Sequence, residues 1–176
     1  MRAAADVLVE SGYTGFTVDR VAARAGVGRA TVYRRWPTKL DLVVALLRDL
    51  RDSFVLPDAG SLEADVRALF EGVADSATAG ERVMAALASE TFNDGELFQV
   101  LGDEFIAPRR AQLSVLFGRA AERGELREDV DITALVNMTW GFLWQRRFIN
   151  GLGVDRAAVD GFLLVLLGGI RAAPGG

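Results

Sequence analysis

Thr17-Val18-Asp19-Arg20-Val21-Ala22-Ala23-Arg24-Ala25-Gly26-Val27-Gly28-Arg29-Ala30-Thr31-Val32-Tyr33-Arg34-Arg35-Trp36-Pro37-Thr38-Lys39 is the stretch on which the fold turns. Thr17 is placed to cap a helix, with Asp19 favourable at its positive end and Val18, Val21 and Ala22 pointing inward. Gly26 suits a left-handed helix end. A second short helix runs from about Arg29 to Arg35 and stops at Trp36-Pro37, because the residue before a proline avoids helical dihedrals. Thr38-Lys39-Leu40-Asp41 then reads as a capping box opening a longer helix. Two short helices about a glycine turn, the second rich in arginine, make a helix-turn-helix. The tight turn asks Val21 and Ala25 to pack on Val32, and it projects Gly28, Arg29, Ala30, Thr31 and Tyr33 outward. Small residues at the start of that second helix let it sink into a major groove, its free amides facing phosphate.

Charge agrees with this reading. Residues 20–39 hold Arg20, Arg24, Arg29, Arg34, Arg35 and Lys39 and no acid. Residues 1–56 carry nine Arg/Lys against six Asp/Glu, whereas the rest carry eleven against eighteen. A net charge of -4 therefore conceals a basic head that attracts a polyanion and an acidic remainder that repels it. Nineteen of the twenty basic residues are arginine throughout the chain, which reads as compositional bias and marks no site.

Outward from this stretch everything reads as helix. Ala3, Val7 and Leu8 outline a first helix that stops at Ser11-Gly12. The fourth helix, about 38–55, carries Leu42, Val43, Leu46, Leu47 and Leu50. Pro57-Asp58-Ala59-Gly60 separates two parts of the chain, giving a division into 1–50 and 51–176. Beyond it, Ser61 caps a fifth helix and Gly80 opens a sixth that ends at Asn93-Asp94-Gly95. The helical stretch 96–123 has Pro108 inside, where a break or kink is expected. The last helices cover about 131–150 and 155–171. The fold class is all-α, with about nine helices. The acidic clusters Asp103-Glu104 and Glu128-Asp129-Asp131 read as helix-end and surface charges.

Composition removes whole classes of chemistry. The chain has 176 residues with no His and no Cys, so a Ser-His-acid triad, cysteine nucleophiles, His/Cys zinc sites and disulfides are excluded. No cofactor or metal is expected. No apolar run approaches the roughly 20 residues of a membrane span, and Met1-Arg2 opens no signal-peptide block. A cytoplasmic protein with no membrane association is expected. The chain begins almost at its first helix, so no basic N-terminal arm is expected within it.

From Gly12 to Lys39 the sequence resembles the N-terminal signature of the TetR family of transcriptional regulators, with more than a dozen positions in register and no gap. The resemblance implies a dimer of nine-helix subunits: a three-helix DNA-binding domain, followed by a helical domain for effector binding and dimerisation. Carried over by position, Thr17 caps helix two and contacts a phosphate. Arg29 and Thr31 meet base edges, and Ala30 packs near a thymine methyl or allows close approach. Tyr33 and Lys39 reach the DNA backbone, and Gly28 and Arg34 belong to the same surface. One departure is Gly28, where the family commonly has a serine cap; another is Trp36 as the aromatic anchor where phenylalanine is usual.

The C-terminal part offers a pocket and a partner surface. Met84, Leu87, Phe92, Phe98, Leu101, Phe105, Trp140 and Trp144 are candidates to line a pocket for an apolar small-molecule effector, with Asn137, Gln145 and Arg109 as polar contacts. The last helix is apolar nearly all round and needs cover on both sides. Phe142, Leu143, Phe162, Leu163, Leu166, Leu167 and Ile170 are therefore expected at a homodimer interface, a four-helix bundle that sets two reading helices on a palindromic operator. The expected function is a ligand-responsive dimeric repressor, not an enzyme. The competing reading, an all-helical enzyme or carrier of an apolar molecule with no DNA role, has only carboxylates, Tyr, Ser and one Lys for its chemistry.

Overall fold

The computed structural model describes residues 1–75, 79–88, 90–91 and 93–170. Every regular element among them is helical. The segments are α1 Arg2–Gly15, α2 Val18–Ala25, α3 Arg29–Arg35, α4 Lys39–Asp52, α5 Leu62–Asp75, α6 Ala79–Ala88, α7 Gly95–Leu101, α8 Ala107–Glu122, α9 Ile132–Trp144 and α10 Arg156–Ile170. A π-helical turn, Gly102–Ile106, joins α7 to α8, and a second, Gln145–Ile149, extends α9. None of these helices is long and apolar enough to cross a membrane.

The caps are those that the sequence specifies. Gly12 has φ +64° and breaks the helical dihedrals within α1, which is the stop expected at Ser11-Gly12. The Arg20 amide donates to Thr17 Oγ1 at 3.2 Å, and Gly26 ends α2 in the left-handed conformation, φ +68°. At α4 the box is complete: Asp41 N–H donates to Thr38 Oγ1 at 3.1 Å and Thr38 N–H to Asp41 Oδ2 at 2.9 Å.

Pro108 neither breaks nor terminates its helix. The run from Gly95 to Glu122 is continuous, and the π turn stands immediately before the proline, with the Ala107 amide bonded five residues back to the Gly102 carbonyl. Proline lacks an N–H and its ring crowds the carbonyl four residues earlier. One wide turn absorbs that conflict locally.

The chain forms two compact units. The first takes Met1–Phe54 together with α6, α7 and the following turn up to Pro108; the second takes Val55–Asp75 and the chain from Arg109 on. In the first, α1 packs against α6, α2 and α4, and α4 packs against α7 and the π turn. Its core is Ala4, Val7, Leu8, Phe16, Val21, Ala22, Val32, Leu42, Leu46, Leu47, Val83, Met84, Leu87, Leu97 and Leu101, all buried. Ala25 is exposed, so of the residues expected to pack at the turn only Val21 and Val32 are buried, with Val18 and Ala22 beside them in α2. Glu104, expected among the surface charges, is instead part-buried on the π turn. It accepts from Arg48 Nε and Nη2 of α4 at 2.8 and 2.6 Å, and Arg51 Nη1 lies 3.7 Å away. These guanidinium contacts, the Arg48 hydrogen bonds foremost, hold its carboxyl below the usual glutamate range.

In the second unit, Leu62, Val66 and Phe70 of α5 join Leu116 and Phe117 of α8, Leu135 and Val136 of α9, and Leu163 and Leu166 of α10. Phe70, Phe142 and Phe162 form a ring cluster with centroids 4.7–5.8 Å apart. The wholly buried Asp65 carboxylate accepts from the Ala59 amide at 2.5 Å and pairs with Arg123 Nη2 at 3.0 Å. Thr139 is also wholly buried, and its hydroxyl has no hydrogen-bond partner.

Candidate nucleic-acid interface

Residues 23–31 form an unbroken exposed surface across the turn and the start of α3. Gly28 is the N-cap of α3 without a side-chain bond, and the Thr31 amide donates to its carbonyl at 2.9 Å. No side chain hydrogen-bonds to the first amides of α3 at this cap. Arg29, Ala30, Thr31, Tyr33, Arg34 and Arg35 are all exposed, while Val32 faces the core. Tyr33 is 44% exposed and so lies on the outer surface. Trp36 is half-buried, and the Arg35 guanidinium carbon stands 5.0 Å from its ring centroid.

The basic residues differ in how they are held. Arg24 pairs with Glu10 of α1, and Arg20 Nη1 donates to the Gly15 carbonyl at 3.0 Å. Arg29 Nη1 lies 3.1 Å from Asp19 Oδ2, a contact that the sequence reading missed; an acid in α2 opposite the first residue of α3 is its only sequence trace. Lys39, the only lysine, opens α4 with its Nζ 3.6 Å from the Tyr13 ring centroid. Burial lowers its pKa against the opposing pull of Asp94 and Glu90, and burial likewise raises that of Tyr13. Asp94 also caps α7, accepting from the Leu97 amide at 3.0 Å.

The residues expected to line a pocket divide between the two units. Met84, Leu87 and Leu101 are core residues of the first, where Phe105 is half-buried and Phe98 is 62% exposed; Phe92 lies outside the described residues. In the second unit Trp140 and Trp144 are half-buried with ring centroids 5.8 Å apart, Asn137 accepts from Arg110 Nη2 at 2.5 Å, and burial pushes the Arg109 pKa down to about 10. Of the residues expected at a dimer interface, Leu163, Leu166 and Ile170 are buried within the chain itself. Phe142 and Phe162 belong to the ring cluster, and Leu143 and Leu167 are half-buried. The outward side of α10 instead presents Leu164, 77% exposed, and Val165, and α9 presents Met138. An all-apolar helix does not announce which side its own chain covers, and here the chain itself buries Leu163, Leu166 and Ile170 of the expected stripe.

Two stretches of the sequence match known family models. Residues 1–46 match the family model for bacterial regulatory proteins of the tetR family, and residues 56–164 match the tetracyclin repressor-like C-terminal domain. The HTH-type transcriptional regulator YdeS of Bacillus subtilis is 30% identical, covering 98% of this chain and 88% of that protein. The DNA-binding transcriptional repressor TetR of Mycobacteroides abscessus is 33% identical, over 93% and 90%. Among solved structures, the TetR family transcription regulator SCO0332 is 30% identical with a TM-score of 0.75, covering 98% of this chain and 95% of that one. FadR of Bacillus subtilis, crystallised with stearoyl-CoA, has a TM-score of 0.79 at 18% identity, covering 97% of each chain. With both of its parts matched and relatives aligned along nearly its whole length, the chain belongs to the TetR family: it is a helix-turn-helix, DNA-binding transcriptional regulator and not an enzyme.

Proposed function

We propose that this regulator is a cytoplasmic, dimeric repressor that reads a palindromic operator through α3 and is released from it by an apolar small-molecule effector. The observation that carries the DNA half is the uncapped start of α3, flanked by exposed Arg29, Thr31, Tyr33 and Arg34 on a surface whose sole acid between Thr17 and Lys39 is Asp19. In this reading Arg29 and Thr31 meet base edges and Ala30 allows close approach. Thr17, Gly28, Tyr33, Arg34 and Lys39 hold the backbone, fixing register without carrying sequence information.

Dimerisation draws support from the outward stripe of α9 and α10. Met138, Leu164 and Val165 are large apolar side chains facing water in the single chain, and Ala134, Gly141, Gly161 and Gly168 beside them permit close helix approach. A two-fold axis through that stripe would set two α3 helices about one or more DNA turns apart.

The effector half draws on Trp140 and Trp144, two large rings left half-buried, and on the fold likeness to FadR, which was crystallised with stearoyl-CoA. Effector binding would favour a conformation with misspaced reading heads, and operator affinity falls by that differential. The lever is α4: Lys39 stands at one end, and Arg48 and Arg51 nearer the other are held by Glu104 of the π turn that leads into α8. A movement of that turn would be felt by α4.

The test is fluorescence anisotropy on duplexes tiling the DNA that flanks the gene, at several salt concentrations. One duplex is expected to bind far more tightly than a shuffled control, with an affinity that falls as salt rises. Equal binding of all duplexes, or none at low salt, would defeat the reading.

A further inference from the structure

The geometry points to Asp19 as a positioning residue for base recognition: it orients the Arg29 guanidinium and thereby sets the preference for one base pair. This rests on the reading above, in which Arg29 meets a base edge. Arg29 is the first residue of α3 and Asp19 sits in the first turn of α2, so the helix-turn-helix itself brings them together, with Arg29 Nη1 3.1 Å from Asp19 Oδ2. The Arg29 side chain is 72% exposed. A long, solvated side chain without a tether samples many rotamers, and ordering it on DNA opposes binding. The ion pair restricts that search and leaves the Nε and Nη2 donors for the paired acceptors of a guanine edge.

As a first-turn acid of α2 the carboxylate suits the helix's positive end, but its charge stands on the surface that would meet DNA. Asp19 is the single acid between Thr17 and Lys39, on a surface that meets a polyanion. A negative charge there opposes every duplex, whatever its sequence. Its Oδ1 is buried with no hydrogen-bond partner, so the group is held against the protein, with Oδ2 toward Arg29. An acid that weakens general binding while fixing one base reader exchanges affinity for discrimination.

That exchange separates the role from a merely structural one. The full-length protein and its Asp19→Asn, Asp19→Glu and Arg29→Ala variants would each select from a duplex pool with a randomised core, read by sequencing. Each would then be titrated on the wild-type-selected duplex and on a random duplex. Asp19→Asn removes the charge at constant shape: its preference at one base pair should fall about five-fold, and its binding to random duplex should rise about two-fold or more. Arg29→Ala should relax the same pair, a variant combining Asp19→Asn with Arg29→Ala should lose nothing further there, and Asp19→Glu should recover part of the preference.

If Asp19→Asn weakens both duplexes alike and lowers the melting temperature, Asp19 is a helix-end charge and the inference fails. It fails too, alone, if Arg29→Ala relaxes a base pair that Asp19→Asn leaves intact. If Arg29→Ala relaxes none, the assignment of Arg29 to a base falls and takes the inference with it.

Discussion

Lys39→Ala isolates the non-specific part of DNA binding. Lys39 is the only lysine and the first residue of α4, and its ammonium lies on the Tyr13 ring face. Each phosphate contact contributes about 0.9 to the slope of log K against log salt, so the two contacts of a dimer contribute about 1.8. Between about 50 and 200 mM salt, a four-fold change, wild type should therefore lose ~12-fold more affinity than the variant. The variant should bind more weakly at low salt and converge toward wild type as salt rises, equally on selected and random duplexes. Asp94 and Glu90 already act on this cation, so a smaller slope change means that it keeps those neighbours when DNA is bound. Removing the ammonium from the Tyr13 ring should cost about 0.5–1 kcal/mol in fold stability. The assay is anisotropy on both duplexes across a potassium chloride series, with thermal melting as the folding control. An unchanged slope, or a loss confined to the selected duplex, would refute the assignment of Lys39 to the backbone.

Four further outcomes are expected. Gly26→Ala meets open space but must hold φ near +68°, so its cost is backbone strain alone, about 1–2 kcal/mol, measurable by chemical denaturation. Leu164→Glu, on the outward face of α10, should shift the sedimentation coefficient from dimer to monomer while leaving helicity by circular dichroism unchanged; a persistent dimer would move the interface elsewhere. Thr139→Val removes a buried hydroxyl that has no partner and should be neutral or stabilising by up to about 1 kcal/mol, whereas a clear loss of stability would reveal a hidden acceptor. For Glu104 the arginine contacts lower the folded pKa below its unfolded value of about 4.3. Its stabilisation is therefore complete above that value and is lost as pH falls through the folded one. Glu104→Gln should accordingly lose less stability than wild type between about pH 5 and 3, as acid titration of the denaturation midpoint would register.

The sequence disclosed what neighbouring residues decide between themselves. Thr17, Gly26 and the Thr38/Asp41 box each act within four residues, so their chemistry is readable along the chain, and the helix-turn-helix follows from them. What needed coordinates is contact at long sequence separation. Nothing local in α6 or α7 says that they join the unit of α1–α4, and nothing in Asp103-Glu104 distinguishes a solvated acid from one gripping Arg48. Asp19 looked like an ordinary helix-start acid because its second function depends on where the turn delivers Arg29. Pro108 carried a true signal of conflict, but whether a chain breaks, bends or widens by one residue depends on what packs around it. The α10 stripe needed coordinates for a related reason: where apolar residues ring a helix, only the neighbours decide which side is inside.

The ammonium resting on Tyr13 gives the molecule a single chemical address. Reagents that acylate primary amines find one side chain, at the start of α4, and once the amino terminus is blocked a dye attached through that chemistry would occupy that one known position. A preparation blocked and labelled in this way would be uniform without cysteine engineering. The fluorophore's brightness and polarisation would then record, molecule by molecule, whether that place is crowded by duplex or open to solvent.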